Sequence, residues 1–287
     1  MAKAIPGYIG PYRLLNVVHT GQNCQIWQAY DDANKCIIGI KTLLDRFRND
    51  REHIRMLRWE YTVACTLKHP LIIDIYSFEI DRGTPYLASE WFAGPNLKQR
   101  INAGIEKIAY LLPKIIERSV EALGYFHKMG WVHRDIKPDN FLVNDEGEIK
   151  LIDFALARKH TSRIMKFFSG RTKVQGTRSY MAPEQIRGSP PDLRSDIYSF
   201  GCVLHEVLAG KPPFTGVSSQ DLLMKHLRTP PPSLEAANSN VTPEFSQLVR
   251  KCMAKNPAVR PQTMEDFLTE FRMNRMFKIP PKHPESQ

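Results

Sequence analysis

No apolar run in this chain approaches the roughly 20 residues that a bilayer-spanning helix needs. The opening "MAKAIPGYIG" lacks the apolar stretch of a secretory signal, so no membrane segment and a cytoplasmic location are expected. Cysteine is scarce: Cys24, Cys36, Cys65, Cys202 and Cys252 are odd in number, scattered, and without C-x-x-C spacing. That argues against a disulfide framework and predicts free thiols in a reducing compartment. No internal repeat or low-complexity tract is present. What remains is ordinary globular composition over 287 residues, enough to bury a sizeable core in one large or two smaller lobes. The formal charge of +10 raises nucleic acid as a partner, but its location argues otherwise. Between Asp153 and Glu184 seven Lys/Arg face two acids, a net +5 that holds half of the excess. A nucleic-acid face would not concentrate its charge in one segment, so no nucleic-acid partner is expected.

The first third reads as sheet. "YRLLNVV", "CQIWQAYD" and "KCIIGIKTL" are β-branched and aromatic, separated by the turn compositions "HTGQN" and "DDANK". A helix follows, with Leu57, Glu60, Ala64 and Leu67 on one face, and His69-Pro70 predicts its end. "LIIDIYSFEI" and "TPYLASEWF" read as two more strands around the turn "DRG". From Asn96 onward the pattern changes to long amphipathic helices, such as "YLLPKIIERSVEALGYFHKMG" with Gly130 as its stop. Sheet first and helices later predicts an α+β, two-lobed protein. "MNRMFKIPPKHPESQ" reads as a Pro-rich, basic, disordered tail.

The strongest chemical signal is "HRDIKPDNF", His133 to Phe141. Phosphoryl transfer from ATP needs a carboxylate to orient the substrate hydroxyl and take its proton, a cation for the migrating group, and an oxygen ligand for a second magnesium. Asp135, Lys137 and Asn140 supply these within one loop. Asp153 follows the strand-like "IKLI", so two magnesium-binding groups come from neighbouring segments, as suits a hard cation shared with a nucleotide. Upstream, Lys41 ends a strand in "IIGIK", and Glu60 lies on the inward helix face. A lysine that grips the α- and β-phosphates needs such an anionic partner to fix its long side chain.

With these residues in view, the chain resembles the protein kinases, and among them the bacterial eukaryotic-like (Hanks-type) serine/threonine kinases, over about residues 10–272. The resemblance extends to "GTRSYMAPEQ", "RSDIYSFGCVLHEVLAGKPPF" and "KNPAVRPQT". It implies a bilobal protein kinase-like fold: a small antiparallel N-lobe sheet with one helix (about 10–89), a hinge (90–95) and a mainly helical C-lobe (96–272), with 273–287 as the tail. It implies ATP with magnesium, or manganese in its place, as cofactors and protein Ser/Thr hydroxyls as acceptors. Val18, Gly21, Ile26, Gly39 and Lys41 are the matching nucleotide positions on the N-lobe strands. Ser89, Glu90, Phe92, Asn96 and Leu142 match those at the hinge and beyond. Glu184 is expected to pair with Arg260, and Asp196 to anchor the catalytic-loop backbone. Lys137 and Thr177 match the serine/threonine class rather than the tyrosine class.

The departures matter equally. Where the family has G-x-G-x-x-G-x-V, this chain has "HTGQNCQI", with His19 and Cys24 at two glycine positions and only Gly21 retained. Glycines there admit backbone N–H groups to the phosphates, so weaker nucleotide binding is expected, not its loss. Gly39 replaces the alanine that packs on the purine, and Ser89 stands at the gatekeeper position, which predicts a rear cavity. After Asp153-Phe154 the family has glycine; here it is Ala155. Alanine restricts torsion but removes no catalytic group, and a working catalyst with a restricted hinge is expected. A kinase-fold pseudoenzyme acting as a nucleotide-binding scaffold is the competing reading. A small-molecule phosphotransferase is the third, and "GTRSYMAPE", which shapes a peptide platform, counts against it. The basic segment 157–184 carries the hydroxyls Thr172, Ser169, Thr161 and Ser162, in that order of preference, as sites for an activating phosphate received by Arg134, with Arg51, Arg55 and Arg58 contributing.

Overall fold

Turn chemistry sets the frame of the opening sheet. The computed structural model describes residues 7–160, 176–190 and 192–283. Six strands, β1 (Tyr8–Ile9), β2 (Tyr12–Thr20), β3 (Cys24–Asp31), β4 (Cys36–Leu43), β5 (Ile75–Asp81) and β6 (Thr84–Glu90), form one antiparallel sheet in the order β1-β2-β3-β4-β6-β5. The Asp31 carboxylate accepts from the N–H groups of Ala33 (2.9 Å) and Asn34 (3.1 Å) and so closes the β3–β4 turn. Arg82 (φ +46°) and Gly83 (φ +78°) supply the two left-handed residues of a two-residue hairpin between β5 and β6.

Strand alternation divides the side chains between the two faces of the sheet. Ile38 and Ile40 pack with Leu14, Trp27, Tyr86 and Ala88 in one cluster. Leu43 and Leu87 pack instead with Leu57 of α1 (Arg51–Ala64). Lys41, two residues before Leu43, therefore points to the helix side. The Asp50 side chain caps α1 by accepting from His53 N–H at 2.9 Å. The helix ends at Ala64 and not at His69-Pro70, because the Thr66 hydroxyl takes the Val63 carbonyl (2.7 Å) and the backbone tightens into three-residue turns. Leu67, expected on the helix, is buried just beyond it.

The chain up to Ala93, with Asp153–Ala155, forms one compact unit; Gly94–Ile152 and the chain from Leu156 onward form the other. The second unit is mainly helical: α2 (Leu97–Asn102), α3 (Leu112–Lys128), α4 (Pro183–Ile186), α5 (Leu193–Ala209), α6 (Ser219–Arg228), α7 (Leu234–Ala237), α8 (Pro243–Cys252) and α9 (Met264–Met273). Its short strands are β7 (Trp131–Val132), β8 (Phe141–Val143), β9 (Ile149–Leu151) and β10 (Arg158–Lys159). Gly130 (φ +79°) ends α3 as expected. Helix α5 is buried from Ser195 to Leu208 and forms the centre of this unit. A Cβ at Gly201 would lie 2.8 Å from Cys252 Cβ, so glycine is what lets α5 and α8 approach.

The tail departs from expectation. Met276 and Phe277 are buried, Phe277 bridges Val241, and backbone bonds run from Thr242 N–H to Met276 O (3.1 Å) and from Lys278 N–H to Asn240 O (2.8 Å). Residues 274–283 are thus docked on the second unit. The backbone of the Asn240–Thr242 loop supplies the hydrogen bonds that the tail, lacking a helix or hairpin of its own, needs.

Candidate active site

Two sets of residues carry the predicted chemistry. In the first unit, Lys41 Nζ lies 2.7 Å from Glu60 Oε2 and 3.2 Å from Asp153 Oδ1. Glu60 is only 3% exposed, so its carboxylate is committed to this lysine. Burial alone would depress Lys41, but the charges of Asp153 and Glu60 outweigh it and hold the ammonium well above the lysine range. Burial pushes Glu60 up, to about 7, against the pull of Lys41. The lysine therefore keeps its charge at any working pH.

Asp153 has φ +67°, a left-handed conformation that is strained for a non-glycine residue. Among the described residues the other non-glycine cases are Lys35, Arg82 and Arg134, and Ala155 is not among them. The unusual torsion thus falls on the aspartate, and the alanine needs no conformation that its Cβ forbids.

The β2–β3 hairpin survives the loss of two glycines. Gly21 N–H donates to Cys24 O (2.9 Å), and a Cβ placed on Gly21 would meet His19 Nε2 and Cys24 Sγ at 3.7 Å each. Ile26 on β3 is the register partner of both His19 and Lys41, while Val18 is exposed on β2. Gly39 and Ser89 stand directly opposite each other on β4 and β6. A Cβ on Gly39 would lie 2.8 Å from Ser89 Oγ, which donates to Glu90 O at 3.2 Å. The two pocket departures are therefore one feature: a small residue on each strand makes room for the other. Glu90 is held by its side chain, which accepts from Asp74 N–H (2.8 Å), and Phe92 is half-buried.

In the second unit the Asp135 carboxylate is fully engaged. Oδ1 accepts from Thr177 N–H (2.8 Å) and Thr177 Oγ1 (2.9 Å), and Oδ2 from Lys137 Nζ (2.7 Å). Lys137 also donates to Thr177 Oγ1 at 3.2 Å. Asn140 Nδ2 donates to Asp135 O (2.7 Å), which fixes the amide orientation and makes Oδ1 the atom of this side chain that could face a cation. Asn96 bridges Leu142 on β8. The loop backbone is anchored by Asp196, fully buried on α5, whose oxygens accept from the N–H groups of His133 and Arg134 at 2.8 Å each. Burial first, then the nearby Arg158 charge, depresses the Arg134 guanidinium, and the Asp196 carboxylate opposes this. Glu184 and Arg260 form the expected buried pair at 2.7 and 3.0 Å.

The sequence reading missed His127, whose Nε2 lies 2.9 Å from Asp196 Oδ2, and the junction where Tyr180 (2.6 Å) and Lys98 both donate to buried Glu206. Thr161, Ser162, Ser169 and Thr172 lie outside the described residues.

Among the described residues no three His, Cys, Asp or Glu side chains converge on one point. A hard cation held by Asp153 or Asn140 would have to share phosphate oxygens, which suits a metal that arrives with a nucleotide.

The protein kinase domain family model matches residues 12–271. The chain belongs to the protein kinase family. Members of that family use ATP with magnesium. The kinase domain is 34% identical over 267 residues to the serine/threonine-protein kinase PrkC of Bacillus subtilis, covering 92% of this chain and 40% of that protein. It is 32% identical to PknB of Mycolicibacterium smegmatis (88% and 41%) and 31% identical to PknA of Mycobacterium tuberculosis (95% and 63%), both also serine/threonine-protein kinases. The chain therefore spans about two fifths of the length of the first two. All three relatives are bacterial, as the resemblance implied. Among the described residues no helix is long and apolar enough to cross a membrane.

Proposed function

We propose that this kinase domain transfers the γ-phosphoryl group of ATP to serine and threonine hydroxyls of proteins, in the cytoplasm of a bacterium. The observation that carries this reading is the Asp135 carboxylate, aligned by Lys137 and Thr177. In that role Asp135 orients the acceptor hydroxyl and takes its proton, while Lys137 offers charge to the migrating phosphoryl. Lys41, steadied by Glu60, grips the α- and β-phosphates, and Asp153 with Asn140 Oδ1 would hold magnesium. When bound, the metal neutralises charge on the phosphates. Val18, Gly21, Ile26, Gly39, Ser89 to Phe92, Asn96 and Leu142 serve the nucleotide, within a domain spanning residues 1–272. The scaffold alternative is disfavoured because every group that this chemistry needs is present and Ala155 has an unstrained torsion. His19 and Cys24 are expected to weaken nucleotide affinity. Incubation with γ-labelled ATP and magnesium, followed by phosphosite mapping, tests the reading. Label on Ser/Thr of the chain or of an added protein is expected; none under any divalent cation would overturn it.

The paired small residues Gly39 and Ser89 support a second expectation. ATP-competitive inhibitors with a bulky group aimed past Ser89 should bind, and Ser89→Met should exclude them with a loss of about tenfold or more, the affinity equivalent of roughly 1.4 kcal/mol of steric cost. Inhibition curves for the two proteins decide it, and equal affinities would mean that no such cavity exists.

A further inference from the structure

Thr177 stands beside the reacting carboxylate, since its N–H and its hydroxyl both donate to Asp135 Oδ1. The next residue, Arg178, opens the single helical turn Arg178–Tyr180 and is exposed. Consecutive Cα atoms lie about 3.8 Å apart, so a chain whose hydroxyl reaches Asp135 brings its neighbouring residues within reach of this arginine. The guanidinium is held against α6, where Nη1 donates to Ser219 Oγ at 2.8 Å. Among the described residues that is its one polar contact, and no carboxylate pairs with it. A fixed planar charge with unused N–H donors therefore borders the acceptor position. The acids close by are largely committed. Asp221 on α6 accepts from Val217 N–H (3.1 Å) and pairs with Lys225 (3.3 Å). Glu206 is fully buried and takes both Tyr180 (2.6 Å) and Lys98. Half-buried Asp139 is the remaining acid here, and its charge acts on the Tyr180 hydroxyl.

We propose that Arg178 is a specificity-determining residue, which selects acceptor proteins carrying an aspartate or glutamate within two positions of the phosphorylated hydroxyl; this rests on the kinase reading above. The incoming carboxylate accepts charge-assisted hydrogen bonds from the guanidinium, whereas a lysine or arginine at the same place meets a like charge. The chain's net charge of +10 adds a longer-range attraction for acidic partners. Because Arg178 is exposed, water and salt limit the discrimination to about three- to tenfold between glutamate and lysine.

Peptides built on a phosphosite mapped with γ-labelled ATP, with Glu, Gln or Lys placed in turn at the two positions on either side of the acceptor, test this with the whole chain. At one of these positions kcat/KM for Glu should exceed that for Lys by about three- to tenfold, through KM more than kcat, with Gln between them. The ratio should shrink as salt rises from about 50 mM to about 0.5 M. Arg178→Gln should bring the ratio close to one, and Arg178→Glu should reverse it. Each ratio is taken within one protein, so a general loss of activity cancels. Equal values at all four positions, a preference for Lys set by Asp139, or a Glu preference that survives Arg178→Gln would overturn the proposal and leave the kinase reading standing. The wild-type ratio and its salt dependence decide the matter if a variant fails to fold. Absence of any labelled phosphosite would instead overturn the kinase reading, and this proposal with it.

Discussion

Asp135→Asn is expected to lower phosphoryl-transfer turnover by about two to four orders of magnitude, the range for loss of a positioned general base. The replacement is nearly isosteric, so the loop should keep its shape. With the amide oxygen at the Oδ1 position, the bonds from Thr177 N–H and Oγ1 persist, but an NH2 then faces Lys137 Nζ where Oδ2 accepted at 2.7 Å. Flipping the amide sets the NH2 against the Thr177 N–H instead. Either orientation opposes donor to donor and removes the proton acceptor. Asp153→Ala should cost a comparable factor for a different reason, since it deletes a carboxylate placed 3.2 Å from Lys41 Nζ and proposed to hold the metal. Single-turnover assays with labelled ATP read both variants, and circular dichroism confirms their folds. Near-wild-type turnover in both would mean that the chemistry is not done by these residues.

The second large effect is on stability. Arg260→Ala is expected to destabilise the domain by about 3–5 kcal/mol, as breaking a buried ion pair does. The Arg260 side chain is fully buried and makes two bonds to Glu184, with further bonds to the carbonyls of Ala254 and Arg194. Truncation strands the Glu184 carboxylate with Ser195 Oγ, 2.7 Å away, still donating to it. Replacing both partners, as Glu184→Met with Arg260→Met, should recover much of the loss because no lone buried charge remains. Urea denaturation of the single and double variants measures this. A single variant within 1 kcal/mol of wild type would show that water or another group reaches Glu184, contrary to its burial.

How far the sequence revealed the site depends on how local each signal is. Asp135, Lys137 and Asn140 lie within six positions, so one loop positions all three. Glu60 was readable from helical period, and Lys41 from the strand pattern of "KCIIGIKTL", although the strand runs on to Leu43 and does not end at the lysine. Thr177, Asp196 and the Glu184–Arg260 pair came from the family resemblance, and the contacts expected of Asp196 and of the pair are present. What stayed hidden is long-range. His127 meets Asp196 across 69 positions, and Lys98 meets Glu206 across 108, with no spacing rule to join them. The end of α1 at Ala64 depends on a threonine hydroxyl competing for a carbonyl, which periodicity cannot register. The tail looked disordered because its order comes from the Asn240–Thr242 backbone and not from its own pattern. Gly39 and Ser89 were read as two separate departures, and only strand register makes them one.

Ala155 also has a consequence for the cost of being inactive. A glycine after Asp153-Phe154 would give the segment many alternative backbone shapes in which the aspartate is misplaced, and each adds to the statistical weight of the idle population. Alanine removes a share of those shapes while leaving the aspartate's own φ of +67° unaffected. For the unfolded chain the same counting favours the folded domain by about 0.4–1 kcal/mol, without any added contact in it. Fewer ways to be wrong, not a stronger way to be right, is what this substitution contributes to the kinase domain.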